Sequence, residues 1–587
     1  MTKLNGLLLR ATIILMTTLS SLLTIYGVAW NIYYFEFVGL TLAAVSTMLL
    51  IIFADDLNKT SLIFTATLIP LALSVSYEML SEYLLGADVH SEYFVIKRMG
   101  TITQLSSIQE ESRMLFGIPG YYSEVLNLIF SSNLVSKILG VDPLYVIKFI
   151  WNSLILGLIP LIVFIYTHRL VEDKRSAIIS STLIYSQSTY ISTLHSTVKQ
   201  TVSLFLATIL FLLVIRILKE NRTSSEFLLL AIVVGLIGYH YFVSGTAIMI
   251  LFIGLILFYV IDLFFKSKNS RSLSGKLRTI NIVVFSSMAI WITWYFITSQ
   301  NIIKPVADLI ISLFTLEKPA YYYEKINVPF PVLVNLIRLG INGVIVLGVL
   351  VSGIMAFVNI RKGSYVNSII TVASLLFLLG ILGEFAGILT LGIGRISLTP
   401  LIFVAPYFYK ALFFAIHKLF KPFYRKTTII LLIVALILAL RMCISLGVAS
   451  YALGEIESAI FLDPNYRYTV SLIHADLQTA SFIFDKSSVN MIHIYSDYRS
   501  RIPFVYAYTA YIKVSRTNIT FTNYFVSLSE KKNLCHQSCF IFLSSYNVVK
   551  RTVQISVIEF RDLNEYMPYI RSANSLIYRS NFTYVFK

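Results

Sequence analysis

The sequence predicts an α-helical polytopic membrane protein followed by a C-terminal, external, β-rich domain, and three observations carry that prediction. Over 587 residues the mean hydropathy is +0.77, with 57% hydrophobic residues against 13% charged ones, a balance foreign to water-soluble domains. Charge-free apolar runs of bilayer length recur from residue 7 to residue 449. Cations gather in every second connection between those runs. Hydrocarbon offers no hydrogen-bond partner to backbone N–H and C=O groups, so runs of about 20 apolar residues must be helices.

In chain order the runs fall at 7–29, 37–53, 61–80, 145–167, 177–194, 200–218, 226–243, 246–265, 279–298, 340–359, 365–383, 396–416 and 427–449, about thirteen spans. The first follows Lys3 and Arg10, is too long for a signal-peptide core and lacks a cleavage site, so it reads as a retained anchor. The 61–80 run carries Glu78 near its end, and 177–194 is diluted by Ser and Thr. With the N-terminus cytoplasmic, the inner connections hold Arg169, Lys174 and Arg175, then Arg216, Lys219 and Arg222, then Lys266 to Arg278. Arg361 and Lys362 follow, and finally Lys418 to Lys426. The short outer connections hold almost none, Lys199 being the exception between the fifth and sixth spans. This is the positive-inside pattern. It makes most of the net charge of +17 topological, so no nucleic-acid partner is expected. Four regions result: N-terminal spans 1–80, an external loop 81–144, a helical core 145–449 and an external domain 450–587.

The last region changes character. Residues 501–513 and 553–559 alternate polar with Tyr, Val, Ile, Thr and Phe, the period of a half-buried strand. Cys535 and Cys539 form a short-loop disulfide outside the cell or stand as two free thiols. The sequons at Asn518 and Asn581 would be open to outer-face glycosylation, whereas that at Asn221 falls inside.

The chemistry-bearing stretch is 81–97, where Glu82, Asp88, His90 and Glu92 crowd into eleven positions of a weakly charged chain. If 84–94 is extended, Asp88, His90 and Glu92 share one face. They would then hold a divalent cation, Mg or Mn, or Asp88 alone would take a proton from an acceptor hydroxyl. A solvated acidic loop is the plain alternative. Asp55 and Asp56, in the inner connection after the second span, read as a solvated turn; with a cytosolic nucleotide-sugar donor they would be the residues of interest. His240, within Tyr239-His240-Tyr241, is an interfacial aromatic belt or part of a site. Arg395 opens the twelfth span from outside, against the charge rule. It binds phosphate through its planar fork, snorkels to headgroups, or pairs with Glu384. Lys199, beside His195 and Gln200, is a second candidate phosphate contact.

These residues resemble the GT-C superfamily of integral-membrane glycosyltransferases. The resemblance lies in the loop Gly86-Ala-Asp-Val-His-Ser-Glu-Tyr-Phe94, in Thr197-Val-Lys-Gln-Thr-Val-Ser-Leu-Phe205, and in the Arg395 segment ending at Ala405-Pro406. More narrowly, the chain is similar to archaeal membrane proteins of that group with an acid-His-acid loop and a pair like His240-Tyr241. The resemblance covers residues 60–420 and departs in placing the acidic loop after three spans and in lacking an adjacent Asp-Glu pair. It implies sugar transfer at the outer face from a polyprenyl-phosphate donor to a protein or glycolipid acceptor. Asp88 would be the base and Glu92 or His90 its support; Lys199, His240 and Arg395 would bind substrate. The rival readings are a transporter, which needs ionisable groups inside the spans, and a non-catalytic surface-assembly anchor. The expected location is the cell membrane, multi-pass, with the C-terminal domain outside.

Overall fold

The structure, a computed structural model, describes residues 3–81, 84, 87–99, 126–190, 194–220, 225–265, 270–298, 332–360, 364–385, 393–419, 427–452 and 479, and seven short strands between 491 and 586. The chain forms two compact units. One comprises Met1–Leu80, Phe149–Pro319 and Pro329–Leu462, the other Ser81–Lys148, Ala320–Val328 and Asp463–Lys587.

The first unit is a helical bundle. In order come α1 (Lys3–Ala29), α2 (Tyr33–Ile52) and α3 (Lys59–Met79), with α4 (Ala87–Met99) and α5 (Leu126–Leu139) belonging to the second unit. Then follow α6 (Pro143–Val171), α7 (Lys174–Tyr185), α8 (Val198–Glu220), α9 (Ser225–Tyr239), α10 (Tyr241–Phe265) and α11 (Ser270–Thr298). The last are α12 (Val332–Ile360), α13 (Tyr365–Phe385), α14 (Ile393–Leu419), α15 (Thr427–Ser445) and the short α16 (Val448–Ala452). Among the described residues 10 helices are long and apolar enough to cross a membrane. Leu8, Leu263, Val358 and Leu382 stand exposed on their outer faces, as lipid-facing residues do. The chain is a multi-pass membrane protein.

About thirteen spans were expected, and the difference is instructive. The 177–194 run is no spanning helix: α7 stops at Tyr185 after 12 residues, about 18 Å of helix where the hydrocarbon core needs about 30 Å. The next residues, Ser186-Gln-Ser-Thr189, offer side chains that compete for backbone groups. Ser186 Oγ turns back to Leu183 O and Gln187 Nε2 to Leu183 O at 2.8 Å. Every residue of α7 from Ser176 to Tyr185 is buried, so it is enclosed by other helices rather than by lipid. The 226–243 run breaks at His240, leaving α9 with 15 residues. The 279–298 run lies in α11, whose first turns are basic with Arg271, Lys276 and Arg278.

Small and hydroxylated residues bring the helices together, since apolar burial gives no advantage in lipid. A Cβ on Gly39 of α2 would sit 2.5 Å from Thr24 N of α1, and Ser20 Oγ donates to Gly39 O at 2.9 Å. One end of the bundle gathers the cationic connections. There Arg175 pairs with Asp55 at 2.9 Å, Lys174 Nζ donates to Leu57 O at 2.8 Å and Lys219 meets Glu172 at 3.2 Å. Arg10 Nε reaches Asp56 O at 3.0 Å. Asp55 and Asp56 are therefore part of the clasp that joins the starts of α1, α3 and α7.

In the second unit α4 packs on α5, and Asn133 Nδ2 donates to Ile96 O at 2.9 Å. Lys97 and the Tyr93 hydroxyl both reach Asp142, at 3.2 and 3.0 Å. The strands are β1 (Met491–Ser496), β2 (Asn518–Asn523), β3 (Cys539–Leu543), β4 (Thr552–Gln554), β5 (Phe560–Asp562), β6 (Leu576–Arg579) and β7 (Tyr584–Phe586). Five form a sheet in the order β2-β1-β3-β7-β6, and β4 pairs with β5. β1 runs parallel to β2 and β3, while β7 is antiparallel to β3 and β6. The alternating stretch 501–513, Cys535, Asn221, Asn581 and the loop 299–331 lie outside the described residues.

Candidate functional site

Opposite the cationic connections, the bundle buries a polar cluster. Glu78 is the penultimate residue of α3. Its Oε1 lies 2.8 Å from Nδ1 of His195, which sits in a single 3-10 turn, Leu194–Ser196, and the two side chains are 0% and 2% exposed. With the carboxylate ionised, Nδ1–H donates and leaves Nε2 as the basic nitrogen of the ring, the division of labour of a carboxylate-supported base. Tyr77 stacks on the imidazole at 4.3 Å between centroids and fixes its plane. Glu78 Oε2 has no hydrogen-bond partner among the described residues.

The turn that carries His195 is held from two sides. Thr201 Oγ1 donates to Leu194 O at 2.7 Å, closing the approach to α8. Asn152 Nδ2 donates to His195 O at 2.9 Å. Asn152 lies in the Val146–Ile155 stretch of α6, which is wound as a π-helix, a winding found most often where a side chain must be re-aimed at a site. Its Oδ1 has no partner among the described residues. The cluster thus holds two buried acceptors, Glu78 Oε2 and Asn152 Oδ1, able to take a donor such as a sugar hydroxyl.

Lys199 and Gln200 follow in the first turn of α8. Lys199 is buried, and the Gln200 carboxamide meets Thr197 Oγ1 at 3.0 Å and His240 Nε2 at 3.4 Å. His240 occupies the break between α9 and α10, stacked on Tyr241 at 4.9 Å, with Val243 N–H donating to its Nδ1 at 3.3 Å. Trp291 Nε1 donates to Tyr241 O and to Ser244 Oγ, at 3.2 and 3.1 Å, tying the break to α11. The structure therefore brings His240 and Gln200 into contact, and places Lys199 beside Gln200 on the helix that His195 precedes. Arg395 lies in the first turn of α14; its side chain is outside the described residues.

The stretch around Asp88 differs from expectation. Residues 87–99 form helix α4 rather than an extended segment. Position 90 is then about 200° around the helix from positions 88 and 92, which themselves stand one turn apart. The one-faced trio that alternation would make is not formed, because Val89, Tyr93 and Ile96, all buried, impose the helical period. Among the described residues no group of three His, Cys, Asp or Glu could hold a metal ion, so no step is routed through a cation. The side chain of Asp88 is outside the described residues. His90 and Glu92 are buried. Burial pushes His90 down to about 3, against a smaller upward effect of its hydrogen bond to the Leu84 backbone, so its imidazole is neutral at ordinary pH. At Asp142 burial acts upward, but the Leu144 N–H, the Lys97 ammonium and the Tyr93 hydroxyl together hold the carboxyl below its usual range.

No protein-family model matches the sequence, and no curated protein matches it. Among solved structures, the chain is similar to the crystal structure of ArnT from Cupriavidus metallidurans bound to undecaprenyl phosphate. The two share 11% identity and a TM-score of 0.47, over 90% of this chain and 98% of that one.

Sequence reasoning passed over the Glu78–His195 pair, whose members lie 117 residues apart. The available signal was an ionisable residue inside an apolar run, which in a membrane marks function by default.

Proposed function

We propose that the protein is a membrane glycosyltransferase that moves a sugar from a polyprenyl-phosphate donor to an acceptor hydroxyl at the outer face. The observation that carries this reading is the buried Glu78–His195 pair, with Lys199, Gln200 and His240 nearby, at the end of the bundle away from the cationic connections. An ionised lipid substrate presents its phosphate at such an end. Transfer needs a cation for that phosphate and a base for the acceptor, and it needs little else from the protein. The acceptor O–H gives its proton to the base, its oxygen bonds to the anomeric carbon, and the polyprenyl phosphate leaves with the electron pair of the broken C–O bond. Lys199 and Arg395 would hold the leaving phosphate, and Gln200 and His240 would bind sugar hydroxyls. The tail of the second unit would engage the acceptor, a protein or a glycolipid.

Two bases compete. The sequence resemblance nominates Asp88 with Glu92; the geometry favours His195 Nε2, oriented by Glu78. Membranes holding the wild type, Asp88→Asn and His195→Gln, supplied with a panel of polyprenyl-phosphate sugars, decide between them. Loss of transfer in one variant at normal expression names the base. A wild type that consumes no donor across the panel overturns the transferase.

A transporter is the second reading, favoured by the burial of Glu78 and Arg441 inside helices of spanning length. It predicts a lipid-linked substrate moved across sealed vesicles with its sugar still attached.

A further inference from the structure

Arg441 is the molecule's most unusual charge. It lies in α15, 14 residues from Thr427, hence about 21 Å along the helix, and is 8% exposed. Its guanidinium does not turn out toward headgroups. Nη1 donates to Asn342 Oδ1 at 2.6 Å and Nη2 to Gln187 Oε1 at 3.2 Å. Both acceptors are neutral amides, and Gln187 is fixed in that pose because its own Nε2 donates to Leu183 O. Nε has no hydrogen-bond partner among the described residues. Ser445 Oγ donates to Ser186 O at 2.7 Å, pinning α15 to the end of α7 beside this contact.

The nearest charge is of the same sign. Arg338 is close enough to Arg441 for the two cations to repel, and it precedes Asn342 by one turn of α12, so it shares the face that meets Arg441. No carboxylate is among the partners of Arg441. Two guanidiniums facing each other in a low-dielectric span, with only amide dipoles between them, are costly unless an anion joins them.

We propose that Arg441 and Arg338 form a binding site for a phosphate monoester, carried on a lipid or free as inorganic phosphate. A carboxylate would neutralise one guanidinium, whereas a phosphate near its dianion matches both and offers oxygens for the open Nε and the forks. This site goes beyond the transferase reading and stands whether or not sugar is transferred. It is additional to the Lys199 and Arg395 contacts assigned to the donor.

The test uses the full chain in phosphatidylcholine nanodiscs, titrated with farnesyl monophosphate, inorganic phosphate and farnesol. The wild type is expected to bind farnesyl monophosphate, and Arg441→Gln and Arg338→Gln each to weaken it about tenfold or more, the loss of a charge-assisted hydrogen bond. Inorganic phosphate that competes marks a site for the free anion as well; failure to compete marks a site that reads the lipid-borne group. Wild type that binds neither phosphate, that binds farnesol equally well, or that is matched by both variants overturns the proposal. If Arg441→Gln does not fold, Arg441→Lys keeps the charge without the fork, and unchanged affinity there and in Arg338→Gln is the overturning result. Absent sugar transfer with intact phosphate binding counts against the proposed activity alone.

Discussion

The two ends of the helical bundle hold their charges in opposite ways. At the cationic end, Arg175 and Asp55 are 31% and 52% exposed, and Lys219 and Glu172 are 41% and 81% exposed. Such pairs are solvated, screened and worth little individually; their cations set orientation, and their acids tie connections together. At the far end Glu78 and His195 are 0% and 2% exposed. A pair taken that far out of water is not retained for stability, since an apolar replacement of both would serve as well or better. The contrast separates charges that place the protein in its membrane from charges that do something once it is there.

The largest expected effect comes from splitting the buried pair. Glu78→Ala leaves His195 without its partner and should cost about 3–5 kcal/mol of stability. Chemical unfolding in detergent reads that loss, and Glu78→Leu with His195→Leu together should recover much of it. If His195 is the base, transfer in His195→Gln falls by about 10²–10⁴, while the double apolar variant stays folded and inactive. Stability recovered together with activity would reduce the pair to packing.

A smaller effect belongs to His90 in the second unit. Its pKa falls from 6.5 to about 3 in the folded chain. Above pH 6.5 the group is neutral in both states and contributes no pH dependence. As pH falls from 6.5 toward 3 the unfolded chain binds a proton that the fold refuses, so stability declines, by about 1.4 kcal/mol per unit at most. Unfolding followed from pH 7 to pH 4.5 should show that decline in the wild type and a shallower one in His90→Gln. Equal slopes would mean that His90 is not held neutral.

The readable features of this sequence are those with a period or a sign. Long apolar runs located the spans, because backbone groups in hydrocarbon leave no other structure open. What local pattern concealed was contact between distant residues. Glu78 meets His195 across 117 positions, and Arg441 meets Gln187 across 254; each looked like a lone charge in an apolar run. Around Asp88 the misreading was of period. Alternation of Asp88, His90 and Glu92 suggested an extended segment, whereas Val89, Tyr93 and Ile96, spaced four and then three apart, carried the helical signal. The break after Tyr185 was legible in Ser186-Gln-Ser-Thr189 as dilution, though not as the end of a helix.

The smallest effect should come from the other end of the comparison. Asp55→Asn removes the carboxylate that Arg175 meets at 2.9 Å. With both groups partly solvated the expected loss is about 0.2–1 kcal/mol, shrinking as salt is raised. Arg175 Nε has no hydrogen-bond partner among the described residues, but its side chain reaches solvent, so losing Asp55 strands no charge. Transfer or transport should be unchanged, because neither residue lies near the Glu78–His195 cluster along its helices: Arg175 opens α7, and Asp55 precedes α3, which ends at Glu78 some 28 Å of helix later. A large loss of activity in Asp55→Asn, at normal expression, would move the chemistry to the cationic end and favour a cytosolic donor over a lipid-linked one.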